Sequence, residues 1–373
     1  MIGAPPSIEP EWLAWVDRAA RIVLGRDDRV GEALAREVKL VSEIYTRDRT
    51  SLHRTSVELA ARLRFFLLRD LPKVERPLLE LELPPRETLR VLDLGAGLGT
   101  STLGIARAAR RTGLARRLDV LAVEHAPRLV DVMRHLAERA GEVAVPITLE
   151  TREADLETLD PRTLGQGFDV IVVGLALNEL FVDRADPIAA RADWLRAIST
   201  LLAEGGALIV LEPALRETTR ALMAVRDRLA ASPGPSVLAP CTAAGACPML
   251  RRERDWCHAD DPLRLPEPLA GVARAAGLRW EGLTYAYLTL GRAPRSTEAH
   301  RVVGGPIVQK GRTEWHVCRA PVLARLAVLH RDRAEADRLA PLARGSRVIL
   351  RPPPEDGATA RAATATEVEI VER

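Results

Sequence analysis

The chain has 373 residues, 47% of them hydrophobic and 28% charged, with a formal net charge of +3 and four cysteines. That balance suits a globular chain with a full core and more than one structural unit, and it excludes a polycation and a disulfide-dense secreted scaffold. No apolar run approaches the roughly 18–20 residues that a bilayer requires.

The opening "MIGAPPSIEPEWLAWVDRAAR" lacks a basic segment followed by an apolar one. No signal peptide is therefore expected, and the expected location is the cytoplasm, where thiols stay reduced. Residues 10–82 repeat apolar residues at three- and four-residue spacing and are expected to be largely helical, up to Pro84 and Pro85. From about residue 88 the rhythm changes. Strands are expected in "LRVLDLGAG", "RLDVLAVEHA", "VPITLETREA", "FDVIVVGLAL" and "ALIVLEPA", with helices in most of the intervals and another after the last. A helix "LPEPLAGVARAAG" and two late strands, "WEGLTYAYLTLGR" and "TEWHVCRA", follow a cysteine-bearing stretch. Residues 321–342 are expected to be helical, 345–351 a strand, and the remainder mobile apart from a strand in "TEVEIVE". Alternating strand and helix specifies an α/β chain with a doubly wound, mostly parallel sheet, and the late strand pair suits a methyltransferase-type Rossmann-like fold.

"VLDLGAGLGTST" places Asp93, Gly95, Gly97 and Gly99 at the carboxyl end of the first strand, where open α/β sheets bind ligands. The spacing is G-x-G-x-G; a dinucleotide fingerprint would want glycine where Thr100 stands. An acid two positions before the first glycine suits the amino group of S-adenosylmethionine (SAM), whereas a pyrophosphate would be repelled. Glu124 ends the second strand and suits a ribose diol, which a carboxylate can hold with two hydrogen bonds. Asp155, after the third strand, is a candidate for the adenine amine. "LALNEL" ends the fourth strand, and its Asn178 is the candidate catalytic residue: it either orients an acceptor amine or caps the turn. The Asn/Asp-Pro-Pro-aromatic run of amino-methyltransferases is absent there, and no hydrolytic motif is present.

Three of the four cysteines lie within "CTAAGACPMLRRERDWCH", and Cys318 stands apart. Five residues separate Cys241 from Cys247 and nine separate Cys247 from Cys257, wider and less even than the gaps of most zinc sites. A [4Fe-4S] cluster takes four thiolates, with Cys318 as the fourth. Zinc and inert buried thiols remain as the alternatives. Arg251, Arg252 and Arg254 are available to offset thiolate charge. His258 beside Cys257 is a candidate hydrogen-bond donor to a ligating cysteine, an alternate ligand, or neither.

These motifs together resemble the methyltransferase-like small-ribosomal-subunit proteins of mitochondria and bacteria. The residues that carry the resemblance are "SEIYT" (42–46), "VLDLGAGLGT", "LALNEL", "LEPA" (211–214), C-x5-CP from Cys241 to Pro248, "DWCH" (255–258), "YAYL" (285–288) and Cys318. The resemblance implies a class I SAM-methyltransferase fold, association with the small subunit and its rRNA during assembly, and a [4Fe-4S] cluster on Cys241, Cys247, Cys257 and Cys318. Two departures stand out: Thr242-Ala243 where the family often has Pro-His, and "ALRE" after Glu212-Pro213 where it often has Gly-Thr-Pro. The organisation expected is an N-terminal helical region at 1–87, a SAM-methyltransferase-like domain at 88–320 with a cysteine-rich metal insertion at about 232–260, and a partly flexible C-terminal extension at 321–373.

From Arg292 to Arg319 six basic residues face two acidic ones (Arg292, Arg295, Arg301, Lys310, Arg312 and Arg319 against Glu298 and Glu314). With Arg251–Arg254 this run is the expected phosphate-contacting patch for rRNA, or else an ordinary solvated face. Three functions fit the sequence: SAM-dependent methylation of small-subunit rRNA, a non-catalytic iron–sulfur assembly factor, and a small-molecule methyltransferase with a zinc-stapled lid.

Overall fold

The structure is a computed structural model that describes residues 7–25, 30–47, 56–295 and 297–371. The opening residues 1–6, part of the stretch read as carrying no signal peptide, lie outside them. The N-terminal region is helical as expected. It comprises α1 (Pro10–Val23) and α2 (Gly31–Arg47), then α3 (Ser56–Ala61), a π-helical turn (Arg62–Phe66), α4 (Leu67–Asp70), a 3-10 turn (Leu71–Val74) and α5 (Glu75–Leu79) end to end. Pro72 and Pro77 lie in this last run, and each removes a backbone donor, which keeps its pieces short. Trp12 and Trp15 are buried in an edge-to-face pair with centroids 5.4 Å apart.

The principal unit follows as β1 (Arg86–Leu94), α6 (Thr100–Thr112), β2 (Ala115–Glu124), α7 (Pro127–Glu138), β3 (Ile147–Glu153), β4 (Phe168–Gly174), α8 (Pro187–Ser199), β5 (Leu202–Glu212), α9 (Arg216–Ala230), β6 (Ser236–Ala239), β7 (Ala259–Arg264), α10 (Glu267–Ala275) and β8 (Glu281–Gly291). The sheet order is β3-β2-β1-β4-β5-β8-β6, with β7 also paired to β8. Strands β1 to β5 are parallel, and β8 runs antiparallel to β5, β6 and β7. Six of the seven residues of β4 are buried, the near-continuous apolar run of a sheet covered on both faces. Val91 and Val170 point into one core and Leu92 and Ile171 into the other, the alternation of a pleated strand. The chain winds from β1 outward to β3 and returns to β4 on the far side of β1. The topological switch point therefore lies between β1 and β4, and their carboxyl ends open the crevice.

The expectations for the late elements are corrected in three places. The Pro/Ser/Gly-rich lead-in to the cysteines contains β6, an edge strand flanked by Pro235 and Pro240, where a missing donor costs no ladder bond. "TEWHVCRA" does not close the principal sheet. It is part of a second sheet built from β9 (His300–Val302), β10 (Ile307–Gln309), β11 (Arg312–Arg319), β12 (Val322–Leu329), β13 (Arg347–Arg351), β14 (Thr359–Arg361) and β15 (Glu367–Val371), with α11 (Arg333–Leu339) after β12. Its order is β14-β12-β11-β9-β13-β15, with β10 on β11. The helix expected over 321–342 is reduced to α11. "VLARLAVL" is rich in helix formers, but its full-length pairing with β11 prevails, and Ala324, Leu326 and Val328 enter a core with Trp315, Val317, Val348 and Leu350.

The second sheet meets the N-terminal region at a buried ion pair. Arg301 donates from both terminal nitrogens to Glu80, at 2.7 and 3.0 Å, and from Nε to Pro240 O at 2.9 Å. Removal of one member of such a pair strands the other charge, which costs several kcal/mol.

Candidate functional site

The glycine loop lies at the switch point. Gly95 N and Ala96 N donate to Val123 O at 2.9 and 3.1 Å, which seats the turn against the end of β2. Gly95 has φ +71°, and a Cβ there would stand 2.8 Å from Ala176 Cβ, on the turn after β4. Only glycine combines that left-handed backbone with so close an approach. Gly97 and Gly99 are also left-handed, and Gly99 caps α6.

Asp93 is fully buried. Its Oδ2 accepts from Thr102 N at 3.2 Å and from Thr102 Oγ1 at 2.6 Å, while Oδ1 is buried without a partner. Burial pushes its pKa up to about 6, and the Glu124 charge adds to the rise. Glu124 accepts from His125 N and Ala126 N on Oε1, at 2.9 and 3.0 Å, and from Gly97 N on Oε2 at 2.9 Å. One carboxylate thus bridges the glycine loop and the start of α7. Asp155 is exposed after β3, and its Oδ1 closes a turn on Glu157 N at 2.9 Å. The next residue, Leu156, reaches to 3.5 Å from where a Cβ on Gly95 would stand.

Asn178 sits on a short turn after β4. Its backbone N donates to Glu212 Oε1 at 2.9 Å and its Nδ2 to Oε2 at 2.5 Å, while Arg191 donates to its carbonyl at 2.8 Å. Leu175 and Phe181 bracket this turn with φ of +61° and +59°. These are left-handed values that a branched or bulky side chain adopts at a cost of order 1–3 kcal/mol. Glu212, at the end of β5, is fully buried. Burial pushes it up to about 8, against the opposing effect of the Asn178 hydrogen bonds. Burial also raises Glu179, to about 7; Arg62 opposes the rise and Glu124 adds to it.

The N-terminal helices supply residues that sequence reasoning missed. Arg62, on the π-helical turn, donates to the Tyr45 hydroxyl and stacks over its ring at 5.6 Å. Single π turns often mark functional positions. Lys73, one of three lysines in the chain, is buried, with Nζ 3.0 Å from Asp70 Oδ1. Burial lowers its pKa, and Asp70 and, more weakly, Glu212 oppose that. The signals in the sequence were an acid closing an apolar strand ("ALIVLE") and a lone lysine in an Arg-rich chain. Neither names its partner.

Asp93, Glu179 and Glu212 make stability pH-dependent in a defined sense. A carboxyl raised from 4.5 to about 8 holds its proton in the native chain over a range where the unfolded chain has released it. Stability from this source is full below the ordinary value and is lost as pH rises through the window up to about 8. Glu212→Gln is expected to flatten that fall, as read by urea unfolding on both sides of the window. An unchanged pH slope contradicts the assignment.

The cysteine stretch is held by α9. Arg226 donates to Ala243 O and Asp227 Oδ1, both at 2.6 Å, and to Gly245 O, while the Asp227 carboxylate accepts from Cys247 N at 2.9 and 3.0 Å. Arg220 gathers the carbonyls of Leu250, Arg252 and Asp255 at 3.2, 2.8 and 2.7 Å. Gly245 packs so closely on Pro321 that a Cβ would stand 2.6 Å from the ring. The stretch therefore abuts the second sheet just past Cys318. All four cysteines are free thiols. Burial, then the charge of Cys241, pushes Cys247 up to about 11 and Cys257 up to about 12. Cys318 is raised by burial and by Cys241, Cys257 and Cys247. The four thiols are thus near enough to repel one another as thiolates. Among the described residues no group of three or more His, Cys, Asp or Glu is arranged to hold a metal ion. Thr242 Oγ1, Trp256 Nε1 and His258 Nδ1, each next to a cysteine in sequence, are buried without a partner.

The basic run is mostly spent on internal bonds. Arg301 pairs with Glu80, Arg295 donates to Glu80 O and Leu81 O, Arg319 to Thr297 O, and Arg312 pairs with Glu314. Arg251 pairs with Asp356. Among the described residues, no helix is long and apolar enough to cross a membrane.

The profile of a family described as mitochondrial small ribosomal subunit Rsm22 matches residues 80–344. Among curated proteins no relative matches this sequence. Solved structures that resemble the chain include TrmN from Thermus thermophilus, at 18% identity and a TM-score of 0.34 over 60% of this chain and 49% of that one. Another is a protein described as a class I S-adenosylmethionine-dependent methyltransferase from Listeria monocytogenes, at 13% identity and a TM-score of 0.40 over 76% and 87%. A third is magnesium protoporphyrin IX methyltransferase from Synechocystis with bound S-adenosylhomocysteine, at 14% identity and 0.31 over 68% and 95%. The chain spans about half the length of the first of these.

Proposed function

Because the chain belongs to the mitochondrial small ribosomal subunit Rsm22 family, we propose that it is a SAM-binding, methyltransferase-like protein that acts on or with the small ribosomal subunit. The observation that carries the SAM reading is the pairing of Glu124 across the glycine loop with the unpartnered, buried Oδ1 of Asp93. A buried oxygen without a donor calls for one, and the ammonium of SAM supplies it. Glu124 exchanges its backbone donors for the two ribose hydroxyls, and Asp155 and Leu156 close over the adenine side. When bound, SAM supplies an electrophilic methyl group. The chain's own part is to align an acceptor against it near Asn178, whose amide Glu212 fixes.

The cysteine centre fits a [4Fe-4S] cluster in its chemistry. It offers four neighbouring thiols that repel one another only as thiolates, Arg226, Arg301 and Arg344 whose charges reach them, and three orphaned polar atoms. Orphaned O–H and N–H groups beside thiolates suit the sulfur-rich surface of a cluster, and zinc is the alternative ligand of the same four residues. Cys241, Cys247, Cys257 and Cys318 would hold it. Its role here is to fasten the 241–258 stretch to the second sheet.

The place of action is with small-subunit rRNA in the cytoplasm, and the substrate reading is rRNA methylation. The second reading, an assembly factor that binds SAM without transferring its methyl, is favoured by the hold of Glu212 on Asn178, through its backbone N and one Nδ2 hydrogen, which ties that turn down as a structural cap. Tritiated SAM, the purified chain and immature small subunits separate them. Label in rRNA that falls in Asn178→Ala supports the enzyme. No label, with SAM bound, supports the assembly factor.

A further inference from the structure

The second sheet presents a basic strip that joins Lys310 and Arg312 of the run counted along the sequence to Arg325 and Arg361, which lie outside it. Cross-strand partners share a face. His316 pairs with Arg325, and Arg325 with Thr359, while Arg312 pairs with Leu329 and Ala327 with Arg361. His316, Arg325, Arg312 and Arg361 therefore share one face of β11, β12 and β14. Trp315, Leu326, Val328 and Ala360 fill the core on the other. Arg312, Arg325 and Arg361 are exposed. The sole carboxylate among these paired positions is Glu314, which is buried and 3.2 Å from Arg312. At the end of the strip the β10–β11 hairpin turns through Lys310 and Gly311, with Lys310 exposed. Its outer strand carries Ile307 and Val308, which are 38% and 70% exposed.

We propose that this strip is the chain's docking surface for the phosphate backbone of small-subunit rRNA, with Lys310, Arg325 and Arg361 as its phosphate contacts. The proposal rests on the ribosomal reading above and gives it a location. The occupant is argued from charge. Guanidiniums spaced along neighbouring strands, with a Thr and a His donor between them and no exposed carboxylate among those positions, complement a polyanion. The apolar hairpin end beside them suits the unstacked bases of a single-stranded segment. Arg361 lies beyond residue 344, so the strip extends past the part of the chain that the family profile covers.

The test uses the full chain, a fluorescein-labelled single-stranded RNA and purified small subunits. Lys310→Ala/Arg325→Ala/Arg361→Ala is expected to weaken RNA binding about tenfold or more. It should also lower the slope of log K against log salt by about 2, since each lost phosphate contact on a single strand removes about 0.7. Arg325→Lys/Arg361→Lys should retain binding, and Tm should hold in both, because these are exposed positions away from the core. Unchanged RNA affinity and slope in the triple variant, with wild type binding, overturns the location and leaves the rRNA reading standing. Wild type that binds neither RNA nor subunits overturns both. Loss of subunit binding with RNA binding intact identifies a protein partner and overturns the proposal.

Discussion

Alanine in place of Glu124 is expected to weaken SAM binding by about a hundredfold, roughly 2.7 kcal/mol. The carboxylate reaches both the glycine loop and the start of α7, through Gly97 N, His125 N and Ala126 N. Two charge-assisted hydrogen bonds to a ribose diol are worth about 1.5–3 kcal/mol each when desolvated, part of which water recovers. In the free chain alanine also leaves the three loop donors without their acceptor, so the cradle is less well formed before SAM arrives. Glu124→Gln keeps the shape but loses the charge and one acceptor, and should cost about tenfold. Calorimetry with SAM and with 5′-methylthioadenosine, which keeps the ribose and lacks the amino acid, checks the assignment: both ligands should lose affinity in parallel. A variant that binds both as tightly as wild type removes Glu124 from the site.

The second large effect concerns the cysteines. Serine at Cys257 or at Cys318 is expected to abolish iron–sulfur loading, since a cluster left with three thiolates is open on one iron. Cys318 lies on β11 of the second sheet, while Cys257 lies on the stretch that α9 holds, so either change also releases a link between the two units. The loss of stability should reach several kcal/mol, because metal binding to a site absent from the unfolded chain is folding free energy. Chain purified without oxygen should carry about four iron and four sulfide, and each serine variant should carry little of either. A colourless wild type with one zinc replaces the cluster with the alternative, and a metal-free wild type whose serine variants are fully stable overturns the centre.

The parts of this architecture that the sequence revealed are those governed by local rules. Asp93 and the three glycines lie on one strand and one turn, and the buried parallel strands read as apolar runs. Both patterns survive without knowledge of neighbours. Failure came where the tertiary partner decides. The segment "VLARLAVL" is a strand because β11 lies beside it, and "PSVLA" is a strand because β8 does. Arg301 counted toward a basic patch in the sequence, yet it is buried against Glu80, while Arg325 and Arg361, far apart in the chain, share a face. Glu212 closes an apolar strand, and nothing local says that it grips Asn178. Tyr45, Arg62 and Lys73 belong to helices whose apolar pattern reads only as packing.

The central claim is that the carboxyl ends of β1, β2 and β4 form a methyl-donor pocket. Its most direct test is calorimetric titration of SAM into the full wild-type chain. The expected result is one site with a dissociation constant on the order of micromolar, about −8 kcal/mol, and weaker binding of adenosine alone. Absence of heat and of any thermal stabilisation at millimolar SAM would contradict it.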